Sequence, residues 1–127
     1  MPLVRIAVLQ GRPQGELAKI GDAVHRAMVE TINVPALDRF QIITEHSKST
    51  LIYDPSYLDV NRTDGLVMIQ ITLSTGRTVE AKKALYARIA GLLNQELKIR
   101  KEDVFINLVE VAKENWSFGN GMAQYAT

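Results

Sequence analysis

Leu3-Val4-Arg5-Ile6-Ala7-Val8-Leu9-Gln10-Gly11-Arg12 and Leu66-Val67-Met68-Ile69-Gln70-Ile71-Thr72-Leu73-Ser74-Thr75-Gly76-Arg77 are one pattern written twice, and that repetition decides the fold. Each begins with an apolar run alternating at period two. Val4, Ile6 and Val8 form the row in the first copy, and Val67, Ile69, Ile71 and Leu73 form it in the second. Alternation of this kind places one row of side chains on one face of a strand. Each run then breaks at Gly-Arg. The copies align without a gap at an offset of 65 residues, which also pairs Asp38 with Asp103, Phe40 with Phe105 and Glu45 with Glu110. Two copies are too few for a solenoid, so the repeat is a duplicated supersecondary unit.

Each unit reads strand, helix, strand. Leu17, Ile20, Val24, Ala27, Met28 and Thr31 make one helical stripe; Ala81, Leu85, Ile89, Leu92, Leu93 and Leu97 make the other. Second strands are expected near Arg39–Glu45 and Val104–Val111. A long helix between strands implies a right-handed crossover joining parallel neighbours. The fold class is therefore α+β made of α/β-type repeats: two tandem β-α-β units forming a four-stranded sheet, with both helices on one face. The expected organisation is a single domain over residues 1–127, with the repeat at 2–46 and 67–111. A polar connection, 47–65, holds Tyr53 and Tyr57, and Asn120-Gly121 signals a hairpin in the tail 115–127.

The second face of the sheet carries Leu3, Ala7 and Leu9, and no third layer follows in the sequence. Apolar surface of that extent needs cover, so a homo-oligomer is expected. Lys+Arg 15 against Asp+Glu 14 leaves a net charge of +1, which gives no footprint for nucleic acid or an acidic membrane. Cysteine is absent, which excludes a disulfide framework and a thiolate nucleophile. The first residues fail as a signal peptide because Arg5 interrupts a very short apolar run, and the cytoplasm is the expected compartment.

Met1-Pro2 carries the sharpest chemical signal. A small second residue directs removal of the initiator, leaving a secondary amine at Pro2. A free α-amine titrates near pH ~7.7–8.0, and burial lowers that value by disfavouring the cation. Pro2 heads the row Val4, Ile6, Val8, where partial burial is expected, while its repeat partner is Val67. An amine titrating near neutrality serves as general base or general acid.

Asp38 and Asp103 both precede a strand, and from the residues alone Asp38 is as readily a turn residue as a functional one. Arg12 and Arg77 are likewise paired at strand exits, where a guanidinium either ties down a loop or forms a fork for a carboxylate. His25 reads as a packed or surface histidine and His46 as a solvated one. No phosphate-binding glycine loop, Ser-His-Asp set or HExxH motif is present, and neither a cofactor nor a metal is expected.

An N-terminal proline at the head of a duplicated β-α-β chain resembles the tautomerase superfamily. The likeness spans essentially the whole chain. It is strongest to the malonate semialdehyde decarboxylase branch, through Val34-Pro35-Ala36-Leu37-Asp38-Arg39-Phe40, Arg62-Thr63-Asp64 and the tail Trp116-Ser117-Phe118-Gly119 with Ala123-Gln124-Tyr125. The resemblance implies that Pro2 is the catalytic amine and that Asp38 holds the family's aspartate position. It implies that Trp116 and Phe118 wall the substrate, and that the assembly is a homotrimer. That branch binds a substrate carboxylate with two arginines after the third strand, whereas Ser74-Thr75-Gly76-Arg77 offers one. Carboxylate binding then falls to Arg77, and the departure favours tautomerisation of a small oxo acid over decarboxylation or hydration by a cationic Pro2. A non-catalytic signalling or scaffold protein is the third reading.

Overall fold

In a computed structural model, residues 1–126 are described. β1 (Leu3–Leu9), α1 (Glu16–Ile32) and β2 (Gln41–His46) form the first unit; β3 (Val67–Ser74), α2 (Val79–Leu97) and β4 (Val104–Val111) form the second. The strand order is β2-β1-β3-β4. β1 and β2 are parallel, as are β3 and β4, while β1 and β3 meet antiparallel. A local two-fold axis between β1 and β3 therefore relates the repeats, so equivalent residues lie at opposite ends of the sheet.

Local chemistry explains the boundaries. Thr78 caps α2, its side chain accepting from the Ala81 N–H at 3.1 Å. The helices stop at the repeat-equivalent Asn33 (φ 58°) and Lys98 (φ 57°), each in the left-handed region that ends a helix. Between the helices and the sheet lies the core, with Val4, Ile6 and Val8 of β1 fully buried beside Ile69 and Ile71 of β3. Both helices pack on this face, as the two stripes require.

The other face differs in part from the sequence reading. Leu9 is covered by Leu51 and Leu66, a small second core with Ala7, Tyr53 and Met68 packed against it. The connection between the halves thus supplies some of the missing layer. It is pinned where Tyr53 Oη donates to Asp64 at 2.7 Å and Lys48 pairs with Asp64 at 2.8 Å. The rest stays open: Arg5, Ile42, Met68, Gln70, Phe105 and Asn107 line a concavity of about 390 Å³ on the sheet.

The tail hairpin does not form among the described residues. The Asn120-Gly121 turn is present, with φ of 59° and 65° and the Met122 N–H donating to the Gly119 carbonyl at 3.2 Å. No strands flank it. The Gln124 amide takes the place of a partner strand, accepting from the Phe118 N–H at 3.0 Å and donating to the Gly119 carbonyl at 3.0 Å. Thr127, the last residue of that expected hairpin, lies outside the described residues. Among the described residues no helix is long and apolar enough to cross a membrane.

Candidate active site

The antiparallel β1/β3 ladder brings the start of one strand to the end of the other. Leu3 faces Thr72, and one further step of that register sets Pro2 opposite Leu73. Pro2 is buried, as its place at the head of the core row requires. The Val4 N–H donates to the Phe40 carbonyl at 3.0 Å, which lays the approach to β2 along the same end. Two residues earlier, the Pro35–Asp38 turn closes with the Asp38 N–H donating to the Pro35 carbonyl at 3.0 Å.

That turn aims Asp38 at the chain terminus. Its Oδ2 stands 2.9 Å from the Met1 amine, and the two side chains are only 12% and 17% exposed. The contact lacks hydrogen-bond alignment, and no other polar group among the described residues holds Oδ2.

Arg77 leaves the end of β3 and ties two elements together. Its Nη1 donates to the Ser74 carbonyl at 3.0 Å and its Nη2 to the Ile32 carbonyl, at the end of α1, at 3.5 Å. A guanidinium carries five N–H donors in a fork, so donors remain for a ligand. Ser74 also accepts on Oγ from Trp116 Nε1 at 3.1 Å. Trp116 stacks on Phe118 with centroids 5.4 Å apart, and Phe118 meets Tyr125 edge-on at 5.1 Å and Phe40 at 6.4 Å. Pro2, Asp38, Arg77, Trp116 and Phe118 thus lie at one end of the sheet, joined through Ser74 and Phe40.

The repeat partners sit at the other end, roughly 20 Å away by strand length. Arg12 donates to the Gly65 carbonyl and pairs with Glu16 at 3.2 Å. Asp103, 2% exposed, accepts from the Thr63 N–H at 2.7 Å and the Thr63 hydroxyl at 2.6 Å. The two-fold therefore groups each unit's aspartate with the other unit's arginine. At one end the two residues tie down the 47–65 connection; at the other Asp38 stands beside the terminal amine and Arg77 bonds the Ser74 and Ile32 carbonyls.

Phe40, Ser74 and Tyr125 join this end, although the sequence does not mark them as site residues. Phe40 is visible in the sequence as the repeat partner of Phe105 and as the end of the Val34–Phe40 stretch, with no role attached, and a lone serine after a strand gives no signal. His46 faces hydroxyls, 2.9 Å from Thr44 Oγ1 and 3.2 Å from Thr50 Oγ1. His25 is packed inside α1, with Nε2 2.8 Å from the Ala36 carbonyl.

Comparison with known proteins gives the family. A family model described as "Tautomerase enzyme" matches residues 38–119, and a second with the same description matches residues 2–60. The chain belongs to the tautomerase family. It is 51% identical over 124 residues to the probable tautomerase YusQ of Bacillus subtilis (strain 168), covering 98% of each chain. A crystal structure of the FG41 malonate semialdehyde decarboxylase inhibited by 3-bromopropiolate overlays at TM-score 0.90 with 40% identity, covering 97% of this chain and 93% of that one. A fused 4-OT solved as a symmetric trimer shares the fold at TM-score 0.79 and 23% identity, over 98% of both chains.

Proposed function

We propose that the chain is a cofactor-independent enzyme whose Pro2 amine, freed by removal of Met1, moves a proton in a small oxo acid or its enol. The observation that carries the reading is the terminal amine held 2.9 Å from Asp38 in a largely buried site at the head of β1. Removal of Met1 shifts the terminus one residue inward, onto the buried Pro2. Neutral Pro2 takes the enol hydroxyl proton as the carbonyl forms, and the same nitrogen returns a proton to carbon. The step is an isomerisation, with no change of oxidation state. Arg77 anchors the substrate carboxylate, Asp38 orients or polarises, and Trp116 and Phe118 exclude water and so strengthen these interactions.

Decarboxylation or hydration by a cationic Pro2 is the second reading. It is supported by Asp38 beside the amine, which favours the cation, and by the 40% identity to a malonate semialdehyde decarboxylase. Burial acts in the opposite direction. ¹⁵N titration of the Pro2 nitrogen separates the two: a midpoint well below pH 7 supports the base and one well above it the acid. A screen of enol and oxo acids then names the substrate class. A non-catalytic signalling or scaffold role predicts that Pro2→Ala leaves every biological readout intact.

Intact mass is the first test, with the mature chain expected to start at Pro2. Quantitative retention of Met1 would leave the nitrogen of Pro2 in a peptide bond and end the mechanism. A halopyruvate, or the 3-bromopropiolate that inhibits the decarboxylase relative, should add to Pro2 and abolish turnover. Full modification with activity intact would remove Pro2 from the reaction. The reading includes a homotrimer and a cytoplasmic location, with no nucleic-acid or membrane partner. The open sheet face supports an assembly, and the trimeric 4-OT relative supports three copies.

A further inference from the structure

We propose that His25 is a positioning residue: its imidazole holds the turn that presents Asp38 to the N-terminal amine. The proposal rests on the reading of Pro2 and Asp38 given above. His25 lies on the buried side of α1, beside Val24 and Met28, and is 8% exposed. Its Nε2 is 2.8 Å from the Ala36 carbonyl, in the middle of the Pro35–Asp38 turn. Among the described residues, no other side chain bonds the backbone of 35–38. Arg39, just beyond the turn, is fixed on the surface by Asp22 at 2.7 Å.

The chemistry fixes the proton. A carbonyl only accepts, so Nε2 carries a hydrogen and donates it to Ala36. Nδ1 is buried with no hydrogen-bond partner among the described residues. A buried, half-satisfied imidazole on an apolar helix face is a poor choice for stability alone, because an unpaired polar nitrogen there loses its hydration. What the bond does achieve is to fix a peptide plane two residues before Asp38. Among the described residues that carboxylate's one polar neighbour is the terminal amine, so the turn sets where it stands relative to that amine.

The experiment compares His25→Leu, His25→Gln and Asp38→Asn in the mature chain. Leucine keeps the apolar bulk without the donor, and glutamine places its amide nitrogen near the Nε2 position. The readout is the ¹⁵N titration of Pro2, which a purely structural role would not move. Asp38→Asn should lower the amine's pKa, His25→Leu should reproduce about half of that shift or more, and His25→Gln should stay near wild type. The thermal midpoint of His25→Leu should equal or exceed that of wild type. On a turned-over enol acid its kcat should fall about tenfold, with KM nearly unchanged.

A His25→Leu protein that titrates like wild type while Asp38→Asn does not overturns the positioning role. If Asp38→Asn also titrates like wild type, the reading of Asp38 fails first and the proposal falls with it. A His25→Gln protein that shifts as far as His25→Leu would make ring shape, not the hydrogen bond, the cause, and is equally fatal. His25→Asn, whose amide reaches only the Nδ1 position, serves the same test where the leucine variant does not fold.

Discussion

Arg12 and Arg77 occupy equivalent positions in the repeat, yet their surroundings set them different tasks. Arg12 is tied to Gly65 and Glu16, far from the terminal amine, while Arg77 lies at the Pro2 end with donors to spare. Arg77→Ala should raise KM and lower kcat/KM for a carboxylate substrate. A lost charge-assisted hydrogen bond is worth roughly 1.5–3 kcal/mol, or on the order of ten- to a hundredfold. Arg12→Ala should change those constants little; steady-state kinetics with the reverse order would exchange their roles. The aspartates divide in the same way. Asp103→Ala removes two short hydrogen bonds to Thr63 from a buried carboxylate and should cost about 2–3 kcal/mol in denaturant unfolding. Asp38→Asn should cost clearly less than that, because its polar neighbour among the described residues is the terminal amine alone and no backbone group depends on its side chain. Equal losses in the two variants would mean that both are turn residues.

At the scale of elements, β1, β4 and both helical stripes were legible from periodicity because the core repeats at the periods of strand and helix. The first boundary of β2 was less so. Arg39 and Phe40 continue the strand-like pattern, but the ladder begins at Gln41 because the Pro35–Asp38 turn feeds it. Leu51 gave no signal, since a single buried leucine in a polar connection has no period. The tail turn was readable from Asn120-Gly121, but the Gln124 amide that replaces a second strand is a side-chain bond with no sequence pattern. The grouping of Asp38 with Arg77 was expected from the family resemblance and from no period of the sequence. It follows from the antiparallel meeting of β1 and β3, which the offset of 65 residues does not specify by itself.

Between the helices, Glu30 of α1 accepts from Arg88 of α2 at 2.6 Å, and Arg26 of α1 pairs with Glu96 of α2. The hydrogen bond from Arg88 holds the Glu30 carboxyl below its ordinary value of 4.5, with the charges of Arg88 and Arg26 adding to it. A lowered folded-state pKa stabilises above the unfolded value and loses that contribution as pH falls through the folded one. Glu30→Gln should therefore lower the thermal midpoint slightly at pH 7. The gap should close as acid takes the wild type below the folded pKa, and strong salt should narrow it too, since the pair is exposed to solvent. A gap of constant size across that acid titration would assign the effect to packing instead.

For the whole molecule, the sheet leaves one face incompletely covered, and the tail aromatics cluster at the Pro2 end. Leu51 and Leu66 shield only the Leu9 end of β1, so Ile42 and Phe105 stay exposed beside Arg5 and Gln70. A two-fold dimer would bury that face as well as a ring would, so three copies rest on kinship and assembly itself on the uncovered apolar surface. Sites formed where one subunit's Pro2 pocket meets a neighbour would make activity depend on association. Truncation before Trp116 removes the indole bonded to Ser74 and the stacked Phe118 together. It should therefore reduce turnover and assembly in parallel, while far-ultraviolet circular dichroism keeps the βαβ signature. Light scattering at micromolar concentration separates the outcomes. A fully active species near the 14.2 kDa of a single chain would end the claim of a shared site, and a stable dimer with full activity would leave assembly standing but not the trimer.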